Sequence, residues 1–339
     1  MNKNYKFKSA KFELATDIVV AQNSYAGVLS LPYLAPAVKL AESVASGYVT
    51  ELDGITSKAV VNTLTPGTMI KAADCDWTKD PTRLSLGESV LEVTDMMVNE
   101  QICRKTIYPT WVGAGFSGRN GAIPSDFASF LVSTVANKTA EEVEDRIWVG
   151  GATPTFKGFL SNTGVFGRTQ LAAGQMAITS GGVNGQAITA ITAANVVEGF
   201  GKVYANGNAN CPGIMGKADT QFLVNQKTFG LYMQALGESG LLQGVNLQGA
   251  NQSFGSLVYL GIPVNVCPGM PDNAIILCQS SNLFFGTNLG TDLTEAKLIP
   301  FYEYDGSDNV GISMRMAIGV QIGVASDIVL GTTAAILPA

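Results

Sequence analysis

The last third of the sequence, from Phe254 to Leu330, constrains the fold more than any other part. Short apolar runs alternate there with Gly, Pro, Asn and Asp at regular intervals, a pattern typical of successive strands and turns. The final run, residues 310–324, is too long for an ordinary hairpin arm. Alternate residues of this run form one apolar face, made of Ile312, Met314, Met316, Ile318, Val320, Ile322 and Val324. The sequence therefore predicts consecutive strands, closed by one long strand with a single apolar face.

The order of motifs in and before this stretch points to a known family. A strand at Gly261–Val264 precedes a turn at Met270–Pro271, and a strand ending in Leu283–Phe285 precedes the long final strand. Upstream, an acidic helix end at Glu141–Gly151 is followed by Pro154–Leu160. In this order the chain resembles the major capsid proteins of tailed bacteriophages of the Hong Kong 97 type, in which the acidic helix end is the exit of the spine helix.

The resemblance implies an α+β fold with four parts. These are an N-terminal arm, an extended hairpin called the E-loop, a P-domain built on the spine helix, and an axial A-domain. We therefore expect an N-arm at 1–47, the E-loop at 48–98, the P-domain at 99–190 with its spine helix at 125–149, the A-domain at 191–284, and P-domain return strands at 285–339.

The expected E-loop has the composition of a long hairpin. Strand patterns at 58–64, 68–72 and 84–93 surround a polar tip at 74–83. Such a hairpin has little core of its own and is marginally stable alone. The resemblance implies that it lies over the adjacent subunit, with intersubunit contacts from Lys71, Trp77, Lys79 and Arg83. The alternative is that Trp77 folds back onto its own domain.

Helical periodicity is clearest from Ser125 to Val149. Apolar residues recur there at steps of three and four, and Gly150 and Gly151 follow as a stop. At 1.5 Å per residue this helix is roughly 36 Å long. Shorter helices are predicted at 34–46, 193–204 and 226–236, and a strand at 221–224. The solvent face of the long helix is predicted to carry Lys138, Glu141, Glu142, Glu144 and Arg146.

Charged residues make up only 14% of the chain, against about a quarter in average soluble domains. Burial against other copies is one explanation, because the cores of interfaces are depleted of charge; a Gly- and Ala-rich globular protein is the alternative. The net charge of −6 argues against a general nucleic-acid-binding surface. The exception is a basic N-terminal cluster, which is either a solvated arm or a contact to packaged DNA, a scaffold or a neighbouring subunit: Lys3, Lys6, Lys8 and Lys11.

The sequence offers little for catalysis. It has no histidine, and its five cysteines include no Cys-x-x-Cys pair, so neither a disulfide framework nor a zinc site is expected. Gly113–Gly118 matches Gly-x-Gly-x-x-Gly, but Pro124 postpones the helix that a dinucleotide site needs. We therefore expect no catalytic, cofactor-binding or metal-binding residues, no cofactor and no enzyme. No apolar stretch approaches the length of a membrane span.

The resemblance implies a structural function. The chain would assemble through pentamers and hexamers into the icosahedral head that encloses phage double-stranded DNA, without sequence-specific binding. It implies portal, scaffolding and decoration proteins as partners, assembly in the cytoplasm of the bacterial host, and a final location in the virion. Two alternatives stay open: an encapsulin nanocompartment shell, and an NAD-dependent oxidoreductase that uses the glycine motif.

Overall fold

The computed structural model describes residues 24–26, 41–66, 84–103, 125–152, 155–160, 190–239, 257–289, 295–301, 304, 306–307 and 309–332. Within these, the α-helices are α1 (Glu42–Ala45), α2 (Ser125–Val149), α3 (Val196–Asn210) and α4 (Gln226–Glu238). The strands are β1 (Ser24–Ala26), β2 (Thr50–Leu52), β3 (Lys58–Pro66), β4 (Leu84–Glu92), β5 (Thr94–Cys103), β6 (Gly151–Ala152), β7 (Thr155–Phe156), β8 (Thr220–Val224), β9 (Leu257–Tyr259), β10 (Ile262–Val266), β11 (Ala274–Gln279), β12 (Leu283–Thr287), β13 (Glu295–Pro300), β14 (Asn309–Ile322) and β15 (Ile328–Thr332).

The long strand β14 organises a six-stranded sheet. Along one edge it pairs with β13 and then with β12, and along its other edge it pairs with β5 over ten residues. Strands β1 and β2 complete the sheet beyond β13 and β12. The alternation predicted for the final run is confirmed, since Met314, Met316, Ile318 and Val320 are all buried on one face of β14.

A second sheet has five strands in the order β15-β11-β8-β10-β9. Every residue of β8, β11 and β15 is buried. Neighbouring residues alternate between two hydrophobic cores: Phe222 and Leu277 belong to one core, and Leu223 and Ile276 belong to the other. This sheet is therefore a wall with an apolar core on each side.

The first core lies between the wall, the inner face of the six-stranded sheet and helix α2, which contributes Val143, Ile147 and Trp148. The second core lies between the other face of the wall and helices α3 and α4. Its centre is aromatic: the ring of Phe200 lies 5.2 Å from that of Phe222 and 4.8 Å from that of Tyr232, between centroids. The first core therefore holds the two sheets together, and the second attaches α3 and α4 to the wall.

The predicted helices agree with the structure to different degrees. Helix α2 has the predicted bounds, and Gly150 follows it with φ +81°. Helix α3 starts three residues later and ends six residues later than predicted. The helix continues through Gly207, where it packs closely against Leu277. A Cβ at this position would lie 2.8 Å from Cδ2 of Leu277, so the packing requires a glycine. Of the helix predicted at 34–46, only α1 falls within the described residues.

The prediction that Glu144 lies on the solvent face of α2 is wrong. Its carboxylate is buried, with one oxygen accepting from the Ser43 backbone N–H at 3.0 Å. The other oxygen accepts from the Ser43 hydroxyl at 2.5 Å and from the Trp148 indole N–H at 3.1 Å. These three donors compensate the burial, and Glu144 therefore fixes the segment around α1 to α2.

The sheets cut across the predicted domain boundaries. The predicted P-domain return, 285–339, contains β15, which pairs with β11 of the predicted A-domain, 191–284. Strand β1, within the predicted N-arm, pairs with β13 in the six-stranded sheet. The division into four parts remains a prediction, and the chain crosses between the two sheets more than once.

Candidate interaction surface

The hairpin β3–β4 exposes an apolar face that the described part of the subunit does not cover. Its strands pair antiparallel over nine residues, with Val60 opposite Val90 and Leu64 opposite Leu86. Because side chains alternate along a strand, these four lie on the same face. They are 54%, 47%, 63% and 65% exposed, in that order. We call this set, Val60, Leu64, Leu86 and Val90, the aliphatic face.

The opposite face of the hairpin attaches it to its own subunit. Leu91 is fully buried, and the Ser89 hydroxyl donates to the Gly323 carbonyl at 2.8 Å. The hairpin packs against the six-stranded sheet at the paired glycines Gly286 and Gly319. A Cβ on Gly319 would lie 2.2 Å from the backbone oxygen of Glu92. Only glycine permits this contact, so the base of the hairpin is fixed by backbone packing.

The aliphatic face also carries charge. Lys58 and Glu92 form an ion pair of 3.3 Å at the base, with both side chains more than half exposed. Glu88 lies between the two aliphatic pairs, opposite Asn62, and forms no ion pair with the described side chains. An exposed ion pair contributes little to stability. Several exposed aliphatic side chains gathered on one face are typical of a protein contact.

The residues that sequence reasoning selected lie outside the described residues. This holds for Lys71, Trp77, Lys79 and Arg83, for the basic cluster Lys3, Lys6, Lys8 and Lys11, and for the motif Gly113–Gly118. Their proposed roles stay predictions. The aliphatic face was missed. The sequence does contain a signal for it. Val60 and Leu64 lie on the same side of their strand as Lys58 and Asn62, and Leu86 and Val90 lie on the same side as Glu88. Only the pairing register shows that the two strands present these residues as one surface.

The described residues contain few groups suited to catalysis. Burial raises the pKa of the Cys267 and Cys278 thiols, which keeps both in the weakly reactive protonated form. Cys211 is also buried, whereas Cys103 is exposed. Across the described ranges, no three His, Cys, Asp or Glu residues are grouped so that they could hold a metal ion. The helices described are all too short or too polar to cross a membrane.

Comparison with solved structures identifies the class of fold. The chain is similar to a subunit of the satellite phage P4 procapsid, with a TM-score of 0.59, 12% identity, and coverage of 96% of this chain and 97% of that one. It is also similar to the capsid of the native GTA particle, with a TM-score of 0.54, 14% identity, and coverage of 88% and 90%. The capsid of the empty GTA particle gives a TM-score of 0.51 at 15% identity, covering 85% and 89%.

These similarities extend over nearly the whole of each chain. The sequence matches no protein-family model and no curated protein. At 12–15% identity the similarity shows the fold alone. The resemblance to phage capsid proteins is therefore confirmed for the fold, and the chain has the mixed α+β fold of these capsid subunits.

Proposed function

We propose that this chain is a major capsid protein that assembles into the icosahedral head of a tailed phage and encloses its double-stranded DNA. The observation that carries the proposal is the aliphatic face, displayed on a chain with the fold of capsid subunits. A hairpin with one apolar face exposed needs a partner to cover that face. In a shell built from one chain, neighbouring copies supply that partner.

The low charge of the chain supports the same proposal, because subunits of a closed shell bury surface against several neighbours. Each contact can be weak, since symmetry repeats it around pentamers and hexamers until the shell is stable. The net charge of −6 is consistent with a shell that encloses DNA without binding it tightly. Under this proposal the protein has a mechanical function and no enzymatic one, and it is located in the virion after assembly in the host cytoplasm.

The finer assignments belong to the same proposal. The hairpin β3–β4 would be part of the E-loop, α2 the spine helix of the P-domain, and the wall with α3 and α4 the A-domain. The tip residues Lys71, Trp77, Lys79 and Arg83 would contact a neighbouring subunit. The basic N-terminal cluster would contact DNA, a scaffolding protein or another copy. Portal, scaffolding and decoration proteins would be the further partners.

Electron microscopy and analytical ultracentrifugation of the purified full chain test the proposal. We expect closed shells, or pentamers and hexamers, at micromolar concentration. Only monomers under assembly conditions would contradict it. The nucleic-acid content of particles isolated from infected cells separates a phage head from an encapsulin, which would hold protein cargo. Saturable binding of NAD to a monomer would favour the oxidoreductase instead.

A further inference from the structure

The loop between β10 and β11, residues 267–273, connects the two cores of the subunit. It passes the end of β8, because β8 lies between β10 and β11 in the wall. At its start, Cys267 and Met270 are buried in the first core. At its end, Asp272 and Asn273 bind elements that border the second core. We call residues 267–273 the joint.

The joint meets helix α2 through backbone atoms. A Cβ on Gly269 would lie 2.4 Å from the carbonyl oxygen of Glu144 and 2.8 Å from the backbone nitrogen of Asp145, so only glycine permits this contact. The same turn of α2 is also held by Ser43, whose backbone N–H and hydroxyl donate to the Glu144 carboxylate. This turn of α2 is therefore fixed by the joint and by the segment around α1.

The other end of the joint is attached to α4 and to the segment that precedes α3. The Asp272 carboxylate accepts from the Lys227 ammonium at 2.7 Å and from the side-chain amide of Asn225, which is the N-cap of α4. The side-chain oxygen of Asn273 accepts from the backbone N–H of Ile191 at 2.7 Å. The joint thus contacts the helices on both sides of the wall.

The joint has little conformational freedom between these attachments. Pro268 and Pro271 restrict its backbone φ angles. Asn273 has a φ of +63°, in the left-handed region that asparagine adopts more readily than most other residues. A loop with two prolines, a left-handed residue and attachments at both ends is stiff. It therefore fixes the orientation of α2 relative to the wall and α4.

The length of α2 amplifies small changes at the joint. Along the helix, Ser125 lies about 28 Å from Glu144, at 1.5 Å per residue. A tilt of roughly 5° at Glu144 would therefore move the start of α2 by about 2.5 Å. In a closed shell, the same chain occupies pentamers and hexamers, and the orientation of its parts decides how neighbouring copies meet.

We infer that the joint fixes the tilt of α2 against the wall, and that this tilt sets the curvature, and so the size, of the shell. The inference rests on the proposed function, which supplies the shell. It assigns residues 267–273 a role beyond the stability of the subunit, which is the selection of one particle size.

The variant Gly269→Ala tests the inference in the full chain. Its Cβ would lie 2.4 Å from the Glu144 oxygen, whereas ordinary contacts begin at 3.4 Å, so the joint must move away from α2. We expect closed particles of a different diameter, or of several diameters, in electron micrographs. Gly230→Ala on α4 is the matched control, because nothing lies within 4 Å of its Cβ, and it should keep the original diameter. A single, unchanged diameter in Gly269→Ala would overturn the inference.

A second pair of variants loosens the joint without adding volume, and it decides the question if Gly269→Ala does not fold. Asn273→Gly permits the left-handed backbone but removes the acceptor for the Ile191 N–H, so particle diameters should spread. Asn273→Asp keeps an acceptor oxygen and should keep a single diameter. A single diameter in Asn273→Gly, or an equal spread in both variants, would overturn the inference and leave the proposed function standing. A wild-type chain that forms no particles would overturn both.

Discussion

The hairpin β3–β4 and the five-stranded wall are both largely antiparallel, but they differ in what covers their faces. The hairpin pairs nine residues in each strand, whereas β8 and β11 pair over five. The shorter strands are buried on both faces, and the longer ones leave their aliphatic face in solvent. The number of residue pairs between two strands therefore does not determine whether the faces of those strands are buried. The wall stabilises the subunit, and under the proposed function the hairpin is the part that a neighbouring copy covers.

The largest expected effect is in the wall. Phe222 is fully buried, and its ring meets that of Phe200 edge-on. We expect Phe222→Ala to lower the free energy of unfolding by about 3–5 kcal/mol, because the substitution leaves a cavity in a two-sided sheet. Urea unfolding of unassembled subunits measures it. The matched control is Val258→Ala on the edge strand of the same sheet, where the residue is 43% exposed and the change should stay within about 0.5 kcal/mol. Equal losses for both variants would contradict the comparison.

A smaller effect is expected where the hairpin meets its own subunit. Gly319→Ala places a Cβ 2.2 Å from the backbone oxygen of Glu92, and a backbone atom cannot move aside as a side chain can. We expect a loss of about 1–3 kcal/mol, together with faster proteolysis within the hairpin. Gly213→Ala is the control, because nothing lies within 4 Å of its Cβ. Unchanged stability and unchanged proteolysis in Gly319→Ala would show that the hairpin base is not fixed by this contact.

The sequence predicts the strands better than the connections between them. Strands β8, β10 and β14 are predicted from continuous or alternating apolar runs, because the pattern that buries a strand is local in sequence. Helix α3 was predicted too short, since Gly207 lowers helix propensity and only packing against Leu277 explains why the helix continues. Tertiary packing overrides local preference there.

Contacts between distant residues account for the remaining misses. Glu144 was placed in solvent because its neighbours on α2 are charged, while its hydrogen-bond donor Ser43 lies 101 residues away. The aliphatic face was missed for a similar reason: its four residues come from two strands, and it is a surface only once Val60 meets Val90 and Leu64 meets Leu86. Local periodicity and a family resemblance were enough to predict the fold. The candidate surface could be recognised only from the pairing register of β3 and β4.

The smallest effect on stability, and the sharpest test of the comparison, is expected on the aliphatic face. Leu64 and Leu86 are 63% and 65% exposed, and a cross-strand pair of this kind contributes roughly 0.2–1 kcal/mol. We therefore expect the double variant Leu64→Ser with Leu86→Ser to unfold within about 1 kcal/mol of the original chain. Its assembly should nevertheless fail, because the surface that a neighbour covers has lost its apolar groups.

Circular dichroism with urea unfolding measures the stability of this variant, and sedimentation with electron microscopy measures its particle yield. Asn62→Ser is the matched control, since Asn62 is an exposed polar residue on the same face between the two aliphatic pairs; its yield should be unchanged. A double variant that is both stable and able to build normal particles would show that the aliphatic face is ordinary exposed surface. A stable variant that stays unassembled would separate the two regions by function, because the wall would then carry the folding of the subunit and the hairpin its association.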